Sequence, residues 1–297
     1  MTTEKEIRHG VLILTHARPS RVITMNTLRK AGYTGPVKLI VDTDDVTGPQ
    51  YVNKFGKENV IFFDKSEILK EFDLGDNRTD TRTIVFARNA AQKIARDLGW
   101  THHVQLDDDY SQFTYLFNSE GYFKRTNVRE MDKVILALCR FLDSMPSSVK
   151  TIAVVQTGDL MGGAASETLS SINIAGVTGL RRKSMNFYVF AADNPVTHIG
   201  RFNDDVNTYV MGGQRGDLFF SLNVICLAQD ECMKTPGGVS DAYRDMGTYC
   251  KSFYTVMMAP SAAKVSILRD KNIWRIHHKI QWKNTCSAIL HESHRKL

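Results

Sequence analysis

The sequence predicts an α/β fold in a single domain with a mostly parallel central sheet. Short apolar runs alternate with helix-type segments over residues 7–106, a pattern typical of parallel β-α-β units. Three of these runs end in polar clusters, at 15–19, 42–45 and 107–110. The chain has 297 residues, 42% of them hydrophobic, and no repeat or low-complexity linker divides it. It is therefore long enough to bury one sizeable core.

The elements of the first half follow from local patterns. Their apolar runs predict buried strands at 7–15, 37–42, 59–64 and 101–106. A helix after the break at HARPS ends near Gly32, and a second helix covers 83–98 with apolar residues at helical spacing and a stop at Gly99. Because ligands bind outside the carboxyl ends of such parallel strands, the three polar clusters should line one crevice.

The second half is less regular. A helix is predicted at about 128–143, before Pro146, and strands are predicted at 151–156, 181–190 and 217–227. Between the first two of these strands, the small and polar residues 157–171 predict a mobile loop.

Charge and cysteine content limit the function classes. The segment 264–297 holds eight basic and two acidic residues, which accounts for the whole net charge of +6. This segment is either a solvated basic surface or a surface for a polyanion or for ligand phosphates. Five scattered cysteines form no CxxC pair, the start of the chain is charged, and no apolar run has the length of a membrane helix. We expect a cytoplasmic protein without a membrane partner, and the sequence leaves its oligomeric state open.

The stretch VQLDDDYSQF places three carboxylates, Asp107, Asp108 and Asp109, directly after a buried strand. Such a cluster can bind a divalent cation, act as acid and base, or form a solvated turn. The preceding apolar run favours Mn²⁺ or Mg²⁺, whose shell water and substrate phosphates would complete. Arg88 lies on the helix before this strand. Its stem could cover apolar surface while its head reaches water, or its guanidinium could face the carboxylates or a diphosphate.

The segment ARNAAQKIARDLGWTHHVQLDDDY resembles the one that nucleotide-sugar glycosyltransferases of the Rossmann-like GT-A fold carry before and through their DxD motif. THARPSRVITMNTLRKAG and VDTDD resemble that family's first loop and helix and the end of its second strand, so the similarity covers roughly 8–112. The resemblance implies one GT-A domain over 1–297. A nucleotide-sugar-binding half would span 1–117, an acceptor half 118–263 and a basic segment 264–297.

The resemblance also implies site roles. Asp109 would ligate the metal that bridges the donor phosphates, and Asp107 would face the ribose or sugar. The other donor-binding candidates are Thr15, His16, Arg18, Asp42 or Asp44 (at the base or ribose), Arg88 and Asp108.

A second acidic pair, Asp204 and Asp205, occurs in RFNDDVNTYVMGG. Either residue could simply cap a helix. The pair also resembles the later acidic motif beneath the acceptor in GT-A enzymes, which implies a catalytic base if configuration inverts, with Asp205 preferred over Asp204. If configuration is retained, neither need be a base.

The stretch WRIHHKIQWKN contains His277 and His278, which could be packing or surface residues. Many GT-A enzymes use a late histidine as a further metal ligand. On a strand the two imidazoles would point to opposite faces, so only one could reach the metal, and His278 is chosen.

The acceptor is predicted from cations beside aromatics. Arg181, Arg182, Lys183 and Trp274 could track a phosphate backbone and stack on a base. The chain is similar to the TET-associated glycosyltransferases of phages and related systems. This resemblance implies transfer from a UDP-sugar to 5-hydroxymethylcytosine in DNA, in the host cytoplasm if the gene is a phage's. Two alternatives stay open: a glycosyltransferase with a protein, glycan or small-molecule acceptor, and a nucleotidyltransferase or non-catalytic nucleotide-sugar-binding module.

Overall fold

The structure is a computed structural model that describes residues 6–156, 178–179, 183–229, 239–247, 249–270 and 273–285. Its strands are β1 (His9–Leu14), β2 (Val37–Asp42), β3 (Val60–Phe63), β4 (His102–Asp107), β5 (Tyr110–Phe117), β6 (Phe123–Asn127), β7 (Val149–Gln156), β8 (Thr178–Gly179), β9 (Tyr188–Ala191), β10 (Leu218–Gln229), β11 (Ala263–Asp270) and β12 (Ile273–Ile280). Its helices are α1 (Ile23–Lys30), α2 (Gly48–Phe55), α3 (Lys65–Ile68), α4 (Val85–Asp97), α5 (Met131–Asp143), α6 (Asp204–Arg215), α7 (Val239–Met246) and α8 (Tyr249–Met258). Short 3₁₀ turns lie at 57–59, 69–71 and 282–284.

The central sheet has the strand order β3-β2-β1-β4-β9-β7-β10-β5-β6, with β8 paired to β10. Strands β3, β2, β1 and β4 run parallel, and Leu14 at the end of β1 pairs with Ile40 of β2 and Asp107 of β4. The carboxyl ends of three predicted strands therefore lie at one edge. The predicted α/β class with a mostly parallel sheet is confirmed.

Strand β9 connects the two halves of this sheet. It runs antiparallel between β4 and β7, with His103 opposite Phe190 and Ile152 opposite Val189. Strand β10 then pairs in parallel with β7 and antiparallel with β5. Strands β7 and β10 are thus continuous with the first four strands through backbone hydrogen bonds.

Alternate residues of β1, β2 and β4 pack on opposite sides of the sheet, as the period of a strand requires. Val11, Ile13 and Leu39 belong to one core with helices α1, α2 and α5, and Leu12 and Ile40 belong to a second core with α4. A third core joins β9 to α6. Helices on both faces explain why almost every residue of these strands is buried.

The structure shortens some predicted elements. In the described part of the strand predicted at 181–190, residues 183–187 are not in a strand and β9 begins at Tyr188, because the chain turns at Asn186, which has a φ of +76°. The helix predicted at 128–143 begins at Met131, and the predicted loop 157–171 lies outside the described residues. Among the helices that the structure describes, none is long and apolar enough to span a membrane.

Candidate functional site

The acidic triplet is held by the start of helix α1. The backbone N–H of Ile23 donates to the carbonyl oxygen of Asp108 at 2.9 Å. Thr24 Oγ1 donates to the carbonyl of Asp107 at 2.7 Å and accepts from the N–H of Tyr110 at 2.8 Å. One buried threonine therefore fixes the backbone on both sides of the triplet.

Asp108 is engaged with the protein itself. Its Oδ2 accepts from Thr15 Oγ1 at 2.6 Å, and its Oδ1 lies 3.2 Å from Arg18 Nη2. The Tyr51 hydroxyl holds both partners in place. It lies 2.9 Å from Thr15 Oγ1 and accepts a hydrogen bond of 2.8 Å from the backbone N–H of Arg18. Burial raises the pKa of Asp108 to about 6, and Arg18 and Thr15 limit that rise. Asp108 thus links the first strand's loop to the triplet.

Asp109 is the carboxylate of the triplet with an unused oxygen. Its Oδ2 accepts from Gln229 Nε2 at 3.2 Å, whereas its buried Oδ1 has no hydrogen-bond partner among the described residues. Burial, together with the charges of Asp107 and Asp108, raises its pKa to about 7. A buried oxygen that repels its neighbours and lacks a donor is chemically suited to a cation.

The described residues fit a metal that arrives with a phosphorylated ligand. Among them, no group of three or more His, Cys, Asp or Glu side chains could hold an ion by itself. Mg²⁺ and similar hard cations usually take one or two carboxylates and complete their shell with water and substrate phosphates. Asp109 can supply such a carboxylate oxygen.

His278 lies on β12, and its Nδ1 is 3.2 Å from Asn203 Nδ2. Burial, with charges from His277 and nearby lysines, lowers the pKa of His278 to about 3, so the imidazole is neutral, as a metal ligand must be. The expectation that the strand keeps the two histidine rings apart is wrong, since their centroids are 4.4 Å apart. The strong twist of a two-stranded ribbon brings them together. The metal role of His278 stays a prediction.

The ends of β1 and β2 form a cleft of about 540 Å³, open solvent included, and its lining includes Thr15, His16, Arg18 and Asp42. His16 Nδ1 is 2.6 Å from Asp42 Oδ2, and Lys65 Nζ is 3.2 Å from Asp42 Oδ1. Burial raises the pKa of Asp42, but these two partners lower it by more, so the carboxylate stays ionised.

Asp44 does not line this cleft. Its side chain is exposed, and its backbone N–H donates to Asp42 Oδ1 at 3.1 Å. Asp45 is the buried residue here, and it accepts from the N–H of Ala17 at 2.7 Å. Ala17 has a φ of +56°, which this bond helps to hold.

Arg88 lies between the two acidic clusters. It is 4% exposed, with Nη2 3.5 Å from Asp107 Oδ1 and Nε 2.9 Å from Asp204 Oδ2. Its guanidinium also lies 5.5 Å from the centre of the Tyr188 ring. Burial lowers the pKa of Arg88, but Asp107 and Asp204 raise it by more, so it remains a cation. The interpretation in which its head reaches water is therefore wrong.

Asp204 and Asp205 are the first two residues of α6. The helix-cap interpretation is wrong, because Asn203, at a φ of +56°, is the N-cap residue. Asp205 Oδ1 accepts from the N–H of Val206 at 2.8 Å. Burial raises the pKa of both aspartates, that of Asp204 to about 7, although the Arg88 charge opposes the rise. A carboxylate of this kind can accept a proton near neutral pH.

The predicted acceptor residues are only partly described. Arg181 and Arg182 lie outside the described residues, and the backbone carbonyl of Lys183 accepts from Ser221 Oγ. Trp274 is exposed on the β11–β12 hairpin, beside Arg269. Sequence reasoning missed several residues that support the site. They are Thr24, Tyr51, Lys65, Tyr188, Asn203 and Gln229.

A family model for TET-associated glycosyltransferases matches residues 9–238. Comparison with curated proteins found no significant sequence match.

Comparison with solved structures found matches at low identity, of which three follow. Glucosyl-3-phosphoglycerate synthase from Mycobacterium tuberculosis, with Mn²⁺, UDP and phosphoglyceric acid, is 10% identical over 92% of this chain and 87% of its own, with a TM-score of 0.43. S. aureus TarS 1–349 with UDP is 12% identical over 85% of this chain and 65% of its own, with a TM-score of 0.45. Mannosyltransferase PcManGT from Pyrobaculum calidifontis, with GDP-Man and Mn²⁺, is 13% identical over 86% of this chain and 64% of its own. Its TM-score is also 0.45. The family match carries the assignment.

Proposed function

Because this chain belongs to the TET-associated glycosyltransferase family, we propose that it moves a sugar from a UDP-sugar to the hydroxyl of 5-hydroxymethylcytosine in DNA. The observation that supports this most is the buried Asp109 Oδ1, which has no hydrogen-bond partner among the described residues. Asp109 adjoins the cleft at Arg18 through Asp108, and Arg88 connects the triplet to the second acidic pair. Donor, metal and base would then lie at adjoining points of one sheet edge.

On the donor side, the cleft residues bind the nucleotide. His16 and Asp42 form a polar pair at 2.6 Å that can recognise a base or ribose, and Asp44 is a more exposed candidate on the same loop. Thr15 and Arg18 orient Asp108, and the Arg18 guanidinium can also face a diphosphate. Asp107 would contact the ribose or sugar.

Asp109, with His278 as a second candidate, would hold Mn²⁺ or Mg²⁺. When bound, such an ion stabilises the charge that develops on the departing nucleoside diphosphate. The chain itself keeps a carboxylate oxygen directed into a partly water-excluded site. The neutral imidazole of His278 would offer the lone pair of Nδ1, which accepts from Asn203 Nδ2 in the structure.

On the acceptor side, Asp205 would remove the proton from the attacking hydroxyl. Asp204 is the poorer base, because its Oδ2 is 2.9 Å from the Arg88 guanidinium, whose charge stabilises the carboxylate form. Asp205 is less buried, and its Oδ1 accepts only a backbone bond from Val206. Asp204 would instead position Arg88. This assignment applies if configuration inverts.

The family name and the basic C-terminal segment support a DNA acceptor. Arg181, Arg182, Lys183 and Trp274 would contact it, and the reaction would take place in the cytoplasm.

The test incubates the protein with a panel of UDP-sugars, Mn²⁺ and DNA that carries 5-hydroxymethylcytosine, and measures a hexose or pentose increment by nucleoside mass spectrometry. We expect an increment that EDTA removes. Asp205→Asn should reduce kcat by about 10²–10⁴-fold, the usual contribution of a general base. Glu120→Gln, which removes one exposed carboxylate from the β5–β6 turn, is the control. Transfer to a non-DNA acceptor with no DNA product from any donor would overturn the proposal.

A further inference from the structure

The β11–β12 hairpin has an exposed surface that neither the donor cleft nor the acidic helix uses. Its cross-strand pairs are Val265 with His278, Ile267 with Ile276 and Arg269 with Trp274. Residues paired in this way lie on the same side of a sheet. We call this side, formed by Val265, Ile267, Arg269, Trp274 and Ile276, the hairpin face.

The hairpin face is apolar where it meets water. The exposed fractions are 44% for Val265, 69% for Ile267, 66% for Trp274 and 42% for Ile276. The Arg269 guanidinium lies 5.4 Å from the Trp274 ring centre and covers part of one indole face. Large apolar side chains exposed side by side mark an interaction surface.

Charge indicates the kind of partner. The two strands carry four basic residues and one acid. Of the four cations, Arg269 is on the hairpin face, and Lys264, Arg275 and Lys279 are at the alternate positions, on the other side of the ribbon. A narrow ribbon that combines an exposed tryptophan with cations on both sides suits a polyanion with aromatic bases, because cations bind phosphates and aromatics stack on any base.

The hairpin face begins next to the acidic pair Asp204 and Asp205. His278 contacts Asn203, the residue that directly precedes Asp204. From His278 to Trp274 the strand covers about 13 Å, at roughly 3.3 Å per residue. Along duplex DNA this is about four base steps, at roughly 3.4 Å each.

We propose that the hairpin face binds the DNA acceptor beside the target nucleotide, with Trp274 stacked on a neighbouring base and Ile267 and Ile276 packed against it. The proposal rests on the proposed function, since it names how that acceptor is held. Enzymes that act on a base must usually displace it from the stack, and apolar side chains placed between bases stabilise such a displacement. A two-stranded ribbon also has a size that enters the major groove.

The test measures fluorescence anisotropy of a labelled hydroxymethylated duplex over a range of salt concentrations. Trp274→Ala should weaken binding about 5- to 150-fold, the range for one lost stacking contact, with an unchanged salt slope. Trp274→Phe should recover most of the affinity. Arg269→Ala should reduce the salt slope by about 1, as expected for one lost phosphate contact.

Two matched controls change similar side chains elsewhere. Tyr122→Ala removes an aromatic residue that is 69% exposed in the β5–β6 turn, and Lys133→Ala removes a cation from α5, at the opposite end of the sheet. Both should bind DNA like the wild type. A 2-aminopurine placed next to the target should brighten on binding to the wild type and much less with Trp274→Ala.

The outcomes separate the two proposals. If Trp274→Ala and Arg269→Ala bind like the wild type while DNA is still modified, the hairpin inference is wrong, and the proposed function loses only its Trp274 contact. If the wild type neither binds nor modifies DNA, both fail. If Trp274→Ala instead abolishes binding to phosphatidylglycerol vesicles or self-association in sedimentation, and leaves DNA affinity unchanged, a membrane or a second copy is the partner and the inference is overturned.

Discussion

The buried charge of Asp109 lowers the free energy of unfolding, and replacement of Asp109 by asparagine should remove that loss of stability. An amide keeps an oxygen that can accept from Gln229, but it carries no charge to repel Asp107 and Asp108. Without a divalent cation, we expect Asp109→Asn to be more stable than the wild type at pH 8.

The magnitude follows from the pKa. Its rise from 3.8 to about 7 means that the folded protein holds the proton more tightly than the unfolded chain does. Stability is therefore lost as the pH rises from about 4 to about 7, and the full cost is present above that range. At about 1.4 kcal/mol for each pKa unit the upper bound is about 4 kcal/mol. Because the side chain keeps some contact with solvent, we expect about 2 kcal/mol, or about 5 °C in Tm.

The assay is calorimetry in EDTA at pH 4.5 and pH 8, with Glu120→Gln as the control for the loss of one exposed negative charge. Asp109→Asn should melt higher than the wild type at pH 8 and by much less at pH 4.5, where most of the cost is absent. In parallel samples without EDTA, Mn²⁺ with UDP should raise Tm of the wild type and not of the variant, since only a ligand that binds the folded state stabilises it. A variant that melts lower than the wild type at pH 8 by the same margin as at pH 4.5 would refute the electrostatic argument.

Two further substitutions test the residues that support the site. Thr24→Val cannot donate to the carbonyl of Asp107 or accept from Tyr110, so we expect a loss of about 1–3 kcal/mol in urea unfolding and weaker donor binding; unchanged values for both would contradict the role of Thr24. Arg88→Met leaves Asp107 and Asp204 without their shared cation and should cost about 3–5 kcal/mol. Arg88→Lys should recover part of that stability but little activity, because a lysine cannot contact both carboxylates in the same way. Full activity of Arg88→Lys would argue against the bridge.

The sequence predicted the parts of the site that depend only on local apolar patterns and on parallel pairing of the strands. The apolar runs that end at Thr15, Asp42 and Asp107 become β1, β2 and β4, and parallel pairing brings their ends together. A cation at the carboxylate cluster could be predicted because three adjacent acids after a buried strand are costly without a positive partner. Its position at a sheet edge follows from the same pattern.

The remaining parts depend on contacts between distant residues. Gln229 reaches Asp109 at a register shift in β10, between Ala228 and Gln229, and a bulge of this kind redirects a side chain without a clear sequence signal. The sequence left open where the Arg88 head would lie, because its partner Asp204 is more than a hundred residues away. The strand at 188–191 is only four residues long, too short for an alternation to identify its neighbours.

The insertion of β9 between β4 and β7 has a consequence for how the chain folds and how it can be shortened. Residues 188–191 must arrive from late in the sequence before β4 and β7 can join one sheet, so closure of the sheet depends on long-range pairing, which slows folding. A fragment that ends at residue 117 would leave the hydrogen-bonding edge of β4 bare, and such edges promote aggregation. Residue 117 is therefore a poor place to cut the chain for expression.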